Sequence, residues 1–118
     1  MGYIIKKIDT HEIELRILGE DTIEICIDGF KDGYFNYVQN IFIPSMYSHF
    51  GKLTKRQQKN ILISANRYFL KIYRQDFYER LQAGEFFTPT IQGYKKEMHL
   101  RGRILTLHRN IEKLKGVA

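Results

Sequence analysis

The sequence predicts an α+β fold: an N-terminal three-stranded antiparallel β-meander followed by three α-helices, one of them long. Residues 12–18 and 22–28 alternate apolar and polar side chains with a period of two. From Tyr34 onward the apolar residues recur at the three-and-four steps of helices. The charge also divides: residues 1–33 hold four Lys/Arg against eight Asp/Glu, and residues 34–118 hold fifteen against five. A chain of 118 residues suits one domain, here with an acidic meander (1–33) and a basic helical part (34–118).

The first strand is Tyr3 to Ile8, and the turn Asp9-Thr10-His11 sets Lys6 opposite Glu14. In EIELRIL, Ile13, Leu15 and Ile17 share one face, while Glu12, Glu14 and Arg16 share the other. TIEICID repeats the pattern, with Ile23, Ile25 and Ile27 set against Thr22, Glu24, Cys26 and Asp28. Between them Gly19-Glu20-Asp21 forms a three-residue hairpin loop that pairs Leu18 with Thr22 and Arg16 with Glu24.

Residues 34–43 place Tyr34, Val38 and Ile41 at helical spacing, and Pro44 ends that helix. Residues 45–50 make a short further piece closed by Gly51. Thr54 then precedes Lys55-Arg56-Gln57, a capping box that opens a long helix running to Ala83 and stopped by Gly84. Its stripes, Leu62/Ala65/Phe69/Ile72 and Ile63/Leu70/Tyr73/Phe77/Leu81, span too wide an arc for a single neighbour. The isoleucine face of the meander is therefore expected on this helix, with Phe69 and Ile72 central.

The last segment begins near Thr88-Pro89-Thr90, and Gly93 argues against helix before Tyr94. Residues 97–115 carry Leu100, Ile104, Leu107, Ile111 and Leu114 as one narrow seam, which Gly102 interrupts. The seam packs on a partner helix in the same chain or in a second copy. A homodimer through it is the expectation adopted.

Several functions lack their residues. No run of about 18 apolar residues exists to span a membrane. MGYIIKKID has no secretory pattern, and Cys26 is the sole cysteine, so a reducing, cytoplasmic setting is expected. Neither a metal nor a cofactor is expected. The four histidines lack ligand spacing, and His99 and His108, nine residues apart, point about 180° from each other on a helix. Cys26 sits beside Glu14, not in the electropositive setting that a reactive thiolate needs, which makes it structural. Asp76 and Glu79 share helix turns with Arg74 and Arg80, where local pairing is the simpler role. There is no glycine-rich phosphate loop and no nucleophile elbow.

What remains is basic surface on a chain of formal charge +6. Arg56, Arg67, Lys71 and Arg74 recur at helical intervals with Tyr78 next in line, Asn60 lying among them. On the last helix Lys95, His99, Arg103 and Lys113, with Thr106 and Asn110, form a second face. Such faces suit an acidic partner. The sequence thus points to a non-enzymatic binding protein that engages an acidic protein or a nucleoprotein complex. Direct binding of DNA or RNA is the alternative, and a small nuclease-like enzyme ranks last. Size and basicity suit the small accessory or regulatory proteins that phages and other mobile elements carry.

Overall fold

The computed structural model describes residues 2–87 and 91–116. The expected start of the last segment at Thr88-Pro89-Thr90 lies outside the described residues. The α+β class holds, but among the described residues five strands and two α-helices stand in place of the expected three and three. The strands are β1 (Tyr3–Ile8), β2 (His11–Ile17), β3 (Thr22–Ile27), β4 (Phe30–Asn36) and β5 (Ile41–Pro44), joined antiparallel in sequence order. A 3₁₀ turn, Phe50–Lys52, leads into α1 (Lys55–Gln82), and a second, Glu85–Phe87, precedes α2 (Ile91–Gly116).

The β2–β3 hairpin has the expected register, with Arg16 opposite Glu24 and the Leu18 amide donating to the Thr22 carbonyl. The β1–β2 register differs by one residue. Ile8 pairs with His11 across a two-residue connection, so Lys6 faces Ile13 and Glu14 faces Ile5. Asp9 makes this short turn at φ 56, a left-handed conformation that aspartate tolerates better than most residues. Without Lys6, Glu14 takes Arg16 of its own strand at 3.2 Å.

Residues 34–43 form no helix. Asp28 and Gly29, at φ 52 and 86, make the two-residue turn whose twist matches paired strands, and β4 returns along β3. The Asn36 Oδ1 accepts from the Gln39 amide at 3.0 Å, and Asn40 takes φ 55, which reverses the chain into β5. Pro44 ends an edge strand, a place where its missing N–H costs no ladder bond. Gly33 stands where a Cβ would strike the Ile43 carbonyl and the Phe42 ring. The expected piece at 45–50 is instead a wrap held by Asp32. That buried carboxylate accepts from Ser48 Oγ at 2.8 Å, from the His49 amide at 2.6 Å and from the Phe50 amide at 3.1 Å.

α1 begins with the expected capping box. Thr54 Oγ1 accepts from the Gln57 amide at 3.1 Å, and the Gln57 side chain accepts from the Thr54 amide at 3.0 Å. It ends at Ala83, with Gly84 at φ 78. Ile13, Leu15, Ile23, Ile25 and Phe35 on the inner sheet face meet Ile61, Ala65 and Phe69 of α1 and Leu107 and Ile111 of α2 in one core. Phe69 is central as expected, its ring 4.9 Å from Tyr37 and 6.0 Å from Tyr73. Ile72 is not: it is 38% exposed, and Tyr73 turns inward in its place. α2 runs through both Gly93 and Gly102.

Two buried asparagines set how α2 lies on this core. The Asn110 Nδ2 donates to the Tyr37 carbonyl at 2.7 Å and to Asn66 Oδ1 at 2.9 Å. Asn66 in turn donates to the Leu62 carbonyl at 2.8 Å. A buried amide is costly unless paired, so this chain of bonds favours one roll of α2 over its neighbours.

Candidate functional site

Arg67, Lys71, Arg74 and Tyr78 stand on the solvent side of α1, spaced so that each lies one turn beyond the last. With the roll of α2 fixed by Asn110, that side of α1 faces His108, Ile111, Glu112 and Lys115 across a groove of about 730 Å³. The groove opens into a second hollow of about 600 Å³, which shares Arg74, Tyr78 and His108 and is floored by Phe77, Leu81, Ile104 and Leu105. Arg101 stands at that end, its guanidinium 5.1 Å from the centre of the Phe77 ring and 3.0 Å from Glu97. Tyr78 and Leu105 are 60% and 51% exposed. The result is an apolar trough with cations along its rims.

Unpaired cations line the α1 side of the groove, as Lys95 and Lys113 do the surface outside it. Among the described residues Arg67, Lys71, Arg74 and Lys115 make no ion pair, whereas Arg56, Arg80, Arg101 and Arg103 do. Glu79 and Glu112 are the acids along its walls. Arg56 lies away from the trough, its side chain 3.7 Å from Asp9. It joins Lys6, Lys7, Asn60 and Arg67 around a small hollow against β1, so a basic strip continues toward the sheet.

The expected second face on α2 does not form. Asn110 is buried in the bridge described above. Arg103 is a tie between α2 and the β2–β3 loop: its side chain is 17% exposed, and it reaches Glu20 at 2.8 Å and Tyr73 Oη at 2.7 Å. Its Nε also donates to His99 at 3.0 Å. The hydrogen bond from Arg103, and then its charge, hold the Glu20 carboxyl below the usual carboxylate range. His99 and Arg103 therefore sit away from the groove, while Lys95 and Lys113 are exposed outside it. Residues that sequence reasoning missed take their place: His108, Lys115 and Arg101 in the trough, Lys6 and Lys7 at its β1 end. His108 and Lys115 are seven residues apart, two turns of one helix face beside Ile111, and that spacing was the available signal.

Much of the seam is buried within the chain. Leu100, Leu107 and Ile111 are 6%, 0% and 6% exposed, Ile104 packs on the same core, and Leu114 is half-buried. Leu107 and Ile111 are thus spent on the chain's own core, while Ile104 also lines the trough.

Elsewhere the reactive side chains are engaged. Burial, then the charges of Glu24 and Glu14, push the Cys26 thiol up to about 11, and its Sγ–H points at Glu24 Oε1, 3.6 Å away. Arg80 pairs with Asp76 at 3.0 Å and with Glu85 at 3.7 Å. Among the described residues no three His, Cys, Asp or Glu side chains converge on one point. No helix of the described residues is long and apolar enough to cross a membrane.

No protein-family model, curated protein or solved structure matches this chain.

Proposed function

We propose that the chain is a non-enzymatic binding protein whose α1/α2 groove holds an acidic, amphipathic segment of a partner protein. The observation that carries this is the set of unpaired cations, Arg67, Lys71, Arg74 and Lys115, lining a trough floored by Phe77, Leu81, Ile104 and Leu105. An amphipathic helix laid along the antiparallel pair α1 and α2 would bury its apolar stripe on that floor and set its carboxylates against the rims. The charges would steer and orient the partner, and the apolar contact would hold it. The protonated Cys26, the tied His99 and the paired Asp76 and Glu85 support a role without chemistry. Accessory or regulatory work fits a part of this kind.

A second reading, direct binding of DNA or RNA, draws on the continuation of the strip through Lys6, Lys7, Arg56 and Asn60. Salt separates the two, since phosphate contacts lose affinity steeply with salt through counterion release. The test is fluorescence anisotropy at two salt concentrations with three probes: a Glu/Leu amphipathic helical peptide, duplex DNA and single-stranded RNA. The peptide is expected to bind and to lose less affinity at the higher salt than a nucleic acid held through the same cations would. Arg67→Ala/Lys71→Ala/Arg74→Ala should weaken it roughly 3- to 100-fold, at about 0.2–1 kcal/mol for each exposed charge. A folded triple variant that binds every probe as wild type does would show that the stripe is only a solvated face.

A further inference from the structure

The two edges of the sheet are treated differently. β1, at one edge, carries Lys6 and Lys7, the charged guards that keep exposed strands from pairing. β5, at the other edge, has none. It lies in a stretch, residues 33–51, that contains no Asp, Glu, Lys or Arg, in a chain that is 27% charged as a whole. Ile41 and Ile43, on the outer face, are 50% and 54% exposed, and Met46 and Tyr47 just beyond are 89% and 81% exposed.

The ladder shows what the bare edge offers. The Tyr37 amide donates to Asp21 and the Ser45 amide to Asp32, so odd residues of β4 bond toward β3, while Ile41, Ile43 and Ser45 bond back toward β4. The alternation leaves the Phe42 N–H and C=O pointing away from the sheet, with the carbonyl of Pro44 beside them.

We infer that β5 is the contact between two copies of this chain, paired antiparallel about a twofold axis at Phe42. In that register the two Phe42 residues exchange both backbone hydrogen bonds, and Ile41 of each copy stands opposite Ile43 of the other on the outer face. The strand is thus complementary to itself, as an isologous contact requires. Charge selects the same occupant. Two chains of formal charge +6 repel each other across their lysine- and arginine-bearing faces and least across this uncharged edge. An acidic partner would instead be drawn to the cations. The seam of α2 plays no part, and this contact does not depend on what the groove binds.

Light scattering behind a sizing column, over a range of loadings, reads the state directly. Wild type should rise toward twice the 14.1 kDa of one chain as concentration increases. Ile43→Lys, on an exposed side chain, should hold the mass at one chain with its circular dichroism unchanged. Amide exchange provides a readout that needs no variant: the Phe42 N–H should exchange freely when dilute and at least tenfold more slowly when concentrated. A mass of one chain up to about 1 mM would overturn the inference. So would a dimer that survives Ile43→Lys with Phe42 still exchanging freely.

Discussion

Replacing Asn110 by alanine removes a buried side chain that ties α2 both to the end of the sheet and to α1. Its amide makes two bonds, to the Tyr37 carbonyl at 2.7 Å and to Asn66 Oδ1 at 2.9 Å, in a site where Asn66 is fully buried and Asn110 is 5% exposed. Truncation leaves both acceptors without that donor. An unsatisfied buried polar group costs about 1–3 kcal/mol, so the expected loss for the two acceptors is about 2–6 kcal/mol. Against a typical domain stability of about 5–15 kcal/mol, that is a large share. Urea unfolding at 25 °C measures it, with an unchanged slope showing that the native and denatured surfaces are otherwise the same. Asn66→Ala and the double variant complete a cycle. Because the two amides bond each other, the double should cost less than the sum of the singles by about 0.5–3 kcal/mol. A loss below about 0.5 kcal/mol for Asn110→Ala, or strictly additive singles, would refute the idea that this bridge sets the roll of α2.

Phe69→Ala opens a cavity where Tyr37 and Tyr73 pack and should cost about 3–5 kcal/mol; an unchanged thermal midpoint would show that the core lies elsewhere. Cys26, with its thiol raised from an ordinary 9.0 to about 11, should react with a disulfide reagent at pH 8 at least roughly tenfold more slowly folded than unfolded. The folded state holds that proton more tightly. Its contribution to stability is therefore fully present below pH 9.0 and is lost as pH rises through about 11. Equal reaction rates in the two states would contradict the burial described.

The sequence made the parts legible that depend on neighbours along the chain. EIELRIL and TIEICID alternate over whole strands, the Thr54/Gln57 box and Gly84 bracket α1, and each appears where local pattern places it. Residues 34–43 misled because YFNYVQNIFI satisfies helical spacing and strand composition together. The deciding signals were the turn formers Asp28-Gly29, Asn36 and Asn40, whose chemistry outweighs periodicity in so short a run. The site divided the same way. The α1 rim was legible because Arg67, Lys71, Arg74 and Tyr78 follow the helical repeat. The α2 rim was not, because polar residues surround most of that helix, and its roll is settled by bonds spanning 73 residues to Tyr37 and 83 to Glu20. No local window contains such contacts.

The most direct test of the central claim, that the α1/α2 trough is where an acidic partner sits, is a residue-by-residue map. Two-dimensional ¹H–¹⁵N spectra recorded while the Glu/Leu amphipathic peptide is added supply it. The account predicts shifts at Lys71, Arg74, Tyr78, Leu105, His108 and Ile111, with the strands β1 to β5 left in place. Shifts confined to the Lys95, His99 and Arg103 side of α2, or to the outer face of the sheet, would contradict it.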